Sequence, residues 1–410
     1  MNYVIIGNSA GAVGCIEGIR SVDKKGPITV ISDEPYHTYS RPLISYLIYG
    51  KTTEERMKYR PDNFYAENRV TAKLGVKAAY IDYEAKSVSL ENGEEVPYDK
   101  LLLATGSSPF VPPMEGLDQV EKKFTFMKLD DAKALQAALT PESRVLIVGA
   151  GLIGLKCAEG IHGKVKEITV VDLAPRILPS ILDEDGSSMV QAHIEKAGIQ
   201  FVLKDSVAQF HGNSAELKSG KTVAFDLLVL AVGVRPNVQL AKEIGCEVHK
   251  GIVVDDHCRT SLPDIYAAGD CTESNDITAG QYRVLALLPN AYMQGETAGI
   301  DMAGGEHLYN KAIPMNAIGF FGLHMITAGN YDGEAYIEKK DGAYKKLVSK
   351  DNRLKGYILI GDVARAGIYT SLIRDTTPLS SIDYNLIKQR PQLMAFQAKE
   401  RAVKLGGAKA

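Results

Sequence analysis

The sequence predicts an α/β fold: two Rossmann-like dinucleotide-binding domains followed by a C-terminal α/β domain. Three observations lead to it. A strand–glycine-loop–helix unit occurs twice, a buried strand ending in glycine occurs twice, and one further apolar strand ends in Gly-Asp. The bulk composition is that of a globular chain with room for two or three cores: 410 residues, 45% hydrophobic, 24% charged, formal net charge −3. No basic stripe is written, so nucleic acid is not an expected partner. No apolar run reaches the length of a membrane span. A strand is expected from Tyr3 with no charged leader before it, so no secretory signal is expected.

The first unit opens with "YVIIGNSAGA", Tyr3 to Ala12. The pattern G-x-G-x-x-G would put glycines at 7, 9 and 12. The chain has Gly7, Ser9 and Ala12, with Ala10 and Gly11 between. The second unit, "RVLIVGAGLIGLKCAEGI" from Arg144, keeps the full pattern in Gly149, Gly151 and Gly154, with Leu152 and Ile153 between. Laid on one another, Gly7 meets Gly149, Cys15 meets Cys157, Glu17 meets Glu159 and Gly18 meets Gly160. The first glycine of the pattern makes the tight turn and the second lets a pyrophosphate approach the backbone. The third, where alanine is accepted, lets helix and strand pack closely. The helix N-terminus then offers free N–H groups and a positive dipole to phosphate. Ser9 is therefore the one real departure.

Each loop is followed by a second strand ending in acid. "ITVISDE" ends in Asp33 and Glu34, and "EITVVD" in Asp172, 23 residues beyond Gly149. An acid there hydrogen-bonds the adenosine ribose and repels a ribose phosphate, so Asp172 favours NAD over NADP. Arg176 argues the other way, unless it is solvated or structural. The second repeat is "YDKLLLATGSSP" from Tyr98 and "FDLLVLAVGVRP" from Phe225. Here Asp99 meets Asp226, Gly106 meets Gly233 and Pro109 meets Pro236. The single signal is "LPDIYAAGDC", which ends in Gly269-Asp270-Cys271.

With these motifs in this order, the chain resembles the two-dinucleotide-binding-domain flavoproteins, the pyridine nucleotide–disulfide oxidoreductase superfamily. The resemblance covers about residues 1–330. It implies an FAD-binding domain in two parts, 1–115 and 240–310, an NAD-binding domain at 116–239, and a C-terminal interface domain at 311–410. FAD would meet Gly7, Ser9, Ala10, Gly11, Ala12, Asp33 and Glu34, with Arg41 and Pro42 near the flavin and Val76 at the adenine. Ala104, Thr105, Gly106, Gly269 and Asp270 would complete that site, and a helix opening near Pro289 would point its dipole at the flavin pyrimidine. NAD(H) would meet Gly149, Gly151, Leu152, Ile153, Gly154, Asp172, Val232 and Gly233.

The branch is narrowed by what the chain lacks. Cys15, Cys157, Cys246, Cys258 and Cys271 form no C-x-x-C or C-x-x-x-x-C pair. In peroxidase, oxidase and coenzyme A–disulfide reductase relatives one redox cysteine follows the first acid. The matching segment here is "YHTYSRPLISYL", without cysteine. "YSRPLIS" instead resembles rubredoxin and ferredoxin reductases and the flavin module of assimilatory nitrite reductase, and "NAIGFFGLHMITAG" also resembles the last of these. Those reductases have a lysine and a glutamate beside flavin N5, where this chain has Tyr46 and Lys156. Lys156 is thus the one catalytic candidate, with a plain helix-surface lysine as the other reading.

The resemblance implies a cytoplasmic FAD-dependent NADH oxidoreductase that exchanges electrons with a one-electron protein carrier or an iron–sulfur subunit of a larger complex, in either direction. Two other readings stay open: an oxidase, peroxidase or small-disulfide reductase, and a non-catalytic redox sensor. Family members are often dimers. No histidine or cysteine spacing defines a metal site, and His37, His257 and His324 read as packing residues. The mildly basic tail from Asn385 is expected to be a solvated terminal helix, with a docking helix as its alternative.

Overall fold

The computed structural model describes residues 1–405, which divide into two compact units. The first comprises Met1–Leu178, Ile194–Ser274 and Tyr282–Asn310. The second comprises Pro179–His193, Asn275–Gln281 and the chain from Lys311 onward. The stretch 179–193 thus leaves the span expected to bind NAD and folds with the C-terminal region.

The first unit holds two five-stranded parallel sheets. One runs in the order Ile265–Ala267, Lys100–Leu103, Tyr3–Ile6, Ile28–Ser32, Val70–Leu74. The other runs Gln200–Leu203, Glu167–Asp172, Arg144–Val148, Leu227–Leu230, Lys123–Phe124. The strands "YVII" and "LLVL" are buried at every position, as parallel strands covered on both faces must be. In each sheet the strand before the glycine loop lies in the middle. Its partner on one side follows directly through a helix, and its partner on the other side returns from far along the chain. That is a topological switch point, where open α/β sheets bind ligands at the carboxyl ends of their strands.

The second repeat serves these same central strands. Asp99 accepts from the Asn2 backbone N–H at 2.6 Å, and Asp226 from that of Arg144 at 2.8 Å. Beyond Gly106 and Gly233 the two copies meet as an antiparallel ribbon, Ser107–Pro109 against Val234–Pro236.

Small residues set the helix packing. The helix Ala10–Val22 crosses Leu288–Met302 with Gly14 and Gly18 against the carbonyls of Tyr292 and Glu296. Gly295 and Gly299 lie in return against those of Gly11 and Cys15. A methyl at any of the four would overlap backbone, so the closeness of this crossing is written in glycine.

The second unit is built on an antiparallel sheet in the order Met315–Phe320, Leu323–Gly329, Arg353–Ile360, Ala343–Lys350, Glu334–Lys340. Asp183, just before the helix Glu184–Glu195, accepts from Tyr344 Oη at 2.6 Å and Lys346 Nζ at 2.9 Å. Ala366–Arg374 and Tyr384–Gln389 bury Tyr369, Leu372 and Ile387 in one core with Leu347, Tyr357 and Leu359. The tail corrects an expectation. It is broken at Pro391 rather than a single solvated helix, and Ala395 and Phe396 are buried in the same core. Its last five residues lie outside the described residues.

Candidate functional site

Both glycine loops turn in the same way. Gly7 and Gly149 each have φ +120°, and their N–H groups donate to Ile31 and Val171 at 2.8 Å. A Cβ at Gly7 would overlap the Ala104 carbonyl, and one at Gly149 that of Ala231. Ala104 and Ala231 are the residues just beyond the strand on the other side of the switch point. The loops differ at their other glycines. Ala12 is fully buried without strain, so the first unit has room for a methyl there. Gly154 packs on the Gly149 carbonyl and has none.

Gly151 is the telling position. Its φ is an ordinary −82° and a Cβ there would meet nothing within 4 Å. The fold does not require glycine at 151, which faces open space before the first turn, Leu152 and Ile153. Gly233, beyond Val232, has the same open surroundings. Ser9, the counterpart of Gly151, begins its helix without a side-chain capping bond, so its hydroxyl is not consumed by the helix end. Both loops thus lead into a helix N-terminus without a side-chain cap, the kind of end that can receive an anionic group.

Asp172 closes the second loop. Its carboxylate accepts from Ala150 N at 2.6 Å and from Ala174 N at 2.7 Å, which holds it at the loop mouth. Arg176 is not simply solvated: its Nε is buried without a hydrogen-bond partner.

In the first unit the two acids part. Glu34 is 5% exposed, accepts from Tyr39 Oη at 2.6 Å and pairs with Arg41. Its part is to hold Arg41, whose guanidinium also lies 5.2 Å from the Tyr39 ring centroid. Asp33 is exposed and pairs with Lys128 at 2.7 Å. Pro42 begins an exposed turn, and Val76 N–H donates to Ser32 O at 3.0 Å, beside the end of the acid-bearing strand. The helix Leu288–Met302 opens with Pro289 in its first turn.

Asp270 is influenced by two groups, Ser107 and Arg41. Ser107 donates to it at 3.0 Å; burial pushes its carboxyl up, while Ser107 and the charge of Arg41 pull it down. Thr105 and Asn237 exchange bonds of 2.6 and 2.8 Å, which fix Gly106 where the ribbon begins. Gln294 escaped the sequence reading. It is 2% exposed, accepts from Gly269 N at 2.9 Å and donates to Thr272 and Ser274, so it sets the turn that presents Asp270. Its signal was a polar residue next to Gly295 on the buried face of that helix.

Lys156 is not a surface lysine. It pairs with Glu159, sits 3.4 Å from Tyr46 Oη and 4.5 Å from the Tyr46 ring centroid, and is 13% exposed. The first repeat has a parallel clasp: Glu17 binds Arg60 at 2.6 Å and Tyr292 Oη at 2.5 Å. Each loop helix therefore uses the same glutamate position, with a cation and a tyrosine, to grip its neighbour.

All five cysteines are free and buried, and burial pushes each thiol up. None is a thiolate nucleophile at neutral pH. Cys15 and Cys157 are fully buried, as their symmetry suggested. His324 is exposed on the strand Leu323–Gly329, which lies between Met315–Phe320 and Arg353–Ile360.

Comparison with known proteins gives the same picture. Residues 1–295 match the family model described as pyridine nucleotide-disulphide oxidoreductase, and 314–377 that of the rubredoxin NAD+ reductase C-terminal domain. The NADH-dependent phenylglyoxylate dehydrogenase subunit epsilon of Aromatoleum evansii is 33% identical over 92% of this chain and 93% of its own. The nitrite reductase [NAD(P)H] of Bacillus subtilis is 30% identical over 92% of this chain, which spans only 48% of that longer protein. In a solved covalent putidaredoxin reductase–putidaredoxin complex, a chain 22% identical superposes with a TM-score of 0.88 over 99% of both chains, which shows the shared fold.

Proposed function

The chain belongs to the pyridine nucleotide-disulphide oxidoreductase family, and on that premise we propose that it passes electrons between NAD(H) and a one-electron protein carrier through bound FAD. The observation that carries this reading is the combination of two glycine loops at the switch points of two parallel sheets in one unit with five buried thiols. In the overall balance one NADH reduces two carriers, giving NAD+ and one proton. FAD, when bound, supplies the conversion from hydride to single electrons, which nicotinamide alone performs poorly.

The chain's own residues bind and orient. The Gly7 loop with Ser9 and Gly11 holds one pyrophosphate, with Arg41 offering charge and Asp270 a half-buried acceptor for hydroxyls. The Gly149 loop holds the other, with Asp172 accepting from ribose hydroxyls and turning away a ribose phosphate. Lys156, locked between Glu159 and Tyr46, sets the charge at the helix pair behind the second loop. The relative named as a subunit of phenylglyoxylate dehydrogenase, and the nitrite reductase that is about twice this chain's length, support work as part of a larger assembly.

Steady-state turnover with NADH against a panel of acceptors tests the reading. Rubredoxin and a [2Fe–2S] ferredoxin should be reduced at least about tenfold more efficiently than oxygen, peroxide or coenzyme A disulfide. Faster turnover of peroxide or disulfide would overturn it.

A further inference from the structure

The charge of the chain is unevenly placed. Residues 311–410 carry 16 Lys and Arg against 9 Asp and Glu, while residues 1–310 carry 31 against 41. Within the second unit several acids are taken up in ion pairs or a helix cap. Asp183 and Asp185 take up Lys346 and Lys339 on one face of the sheet. On the other face Glu338 is taken up by Lys340 and Lys345, and Asp383 by the N-cap of its helix. From Tyr384 to Lys399 the chain has no acid at all.

That acid-free stretch gathers cations. Lys345 Nζ donates to the carbonyls of Lys388 and Gln389 at 3.0 and 3.2 Å, and Arg365 to that of Pro391 at 3.2 Å. Lys388 lies over the rings of Tyr336 and Tyr384, and Arg390 is exposed. Met394 is 68% exposed, with the Arg401 guanidinium 3.0 Å from its sulfur. Among the described residues no acid pairs with Arg365, Lys388, Arg390 or Arg401. Phe396 and Ala395, buried on either side of the turn, hold this surface on the core. An exposed methionine against an arginine, in a stretch otherwise rich in cations, has the composition of a protein interface, an adaptable apolar residue among charged ones.

We infer that the surface formed by Arg365, Lys388, Arg390, Met394 and Arg401 docks an acidic electron-carrier protein. The inference rests on the one-electron reading above. A basic rim steers an acidic partner and raises its association rate at low salt, and the advantage fades as the Debye length shortens.

The test compares the wild-type holoenzyme with R390E and K388E/R390E, and with K218E/K221E as a reversal of exposed lysines elsewhere. The probes are acidic rubredoxin and acidic [2Fe–2S] ferredoxin as carriers, and ferricyanide as a small acceptor that needs no docking. At low ionic strength the double reversal should raise the KM for carrier at least about tenfold and flatten its salt dependence. R390E should lie between, K218E/K221E should match wild type, and FAD content and the NADH–ferricyanide rate should stay within about twofold. An unchanged carrier KM and salt slope in both reversed variants would overturn the surface alone. A wild-type protein that reduces ferricyanide but neither carrier would overturn the one-electron reading and this surface with it.

Discussion

At the residue scale, function rests on a few carboxylates whose partners are backbone. Two backbone N–H groups fix the Asp172 carboxylate at the loop mouth, and on the proposed function its charge would meet the ribose. Losing a charged acceptor for ribose hydroxyls costs about 1.5–3 kcal/mol. Asp172→Ala should therefore lower kcat/KM for NADH about 10- to 100-fold and raise that for NADPH. An unchanged preference, measured on both cofactors, would remove Asp172 from the site. Asp226 is structural by contrast. Hydrogen bonds from the Arg144 side chain and backbone hold its carboxylate down at about 2, against about 3.9 in an unfolded chain. A depressed acid contributes stability above its unfolded pKa and loses it as pH falls through the folded one. Asp226→Asn should thus melt below wild type at neutral pH, with the gap closing between about pH 4 and pH 2. The pair is more than a third exposed, so the gap is small. Thermal scans across that window check it, and a gap that widens on acidification would contradict it.

At the scale of elements, two kinds of glycine share one motif. Gly149 is required by the fold, through its φ and the Ala231 carbonyl, whereas Gly151 faces open space. Gly149→Ala should destabilise by about 1–3 kcal/mol. Gly151→Val should leave the melting temperature within a degree or two yet weaken NADH binding at least about tenfold. Unfolding and NADH titration on the same samples separate the two, and equal stability losses would show Gly151 to be a packing residue. These elements were legible because apolar strands and turn glycines are local signals. The same holds for the duplicated Asp99 and Asp226, whose anchoring of the central strands explains why both copies carry them. Gln294, the Lys156–Glu159–Tyr46 clasp and the Glu34–Arg41 pair were less legible, because each joins residues that only the tertiary fold brings together. The tail misled for a related reason. Its basic composition reads as solvated, but Ile387 and Phe396 are enough to pin it to a core that sequence alone does not reveal.

At the scale of the whole molecule, the account makes one unit carry both nucleotide sites and gives the chain no accessible thiol. The central claim is that bound FAD is the sole redox centre between NADH and a one-electron acceptor. With every cysteine buried and pushed towards its thiol form, no second electron store is within reach of the cofactor site. The measurement that tests this most directly is an anaerobic titration of the purified holoprotein with NADH, followed at the flavin absorbance band. The account predicts complete bleaching at one NADH per FAD. A requirement for two NADH per FAD would reveal a hidden second centre, and bleaching by NADPH but not NADH would contradict the role given to Asp172.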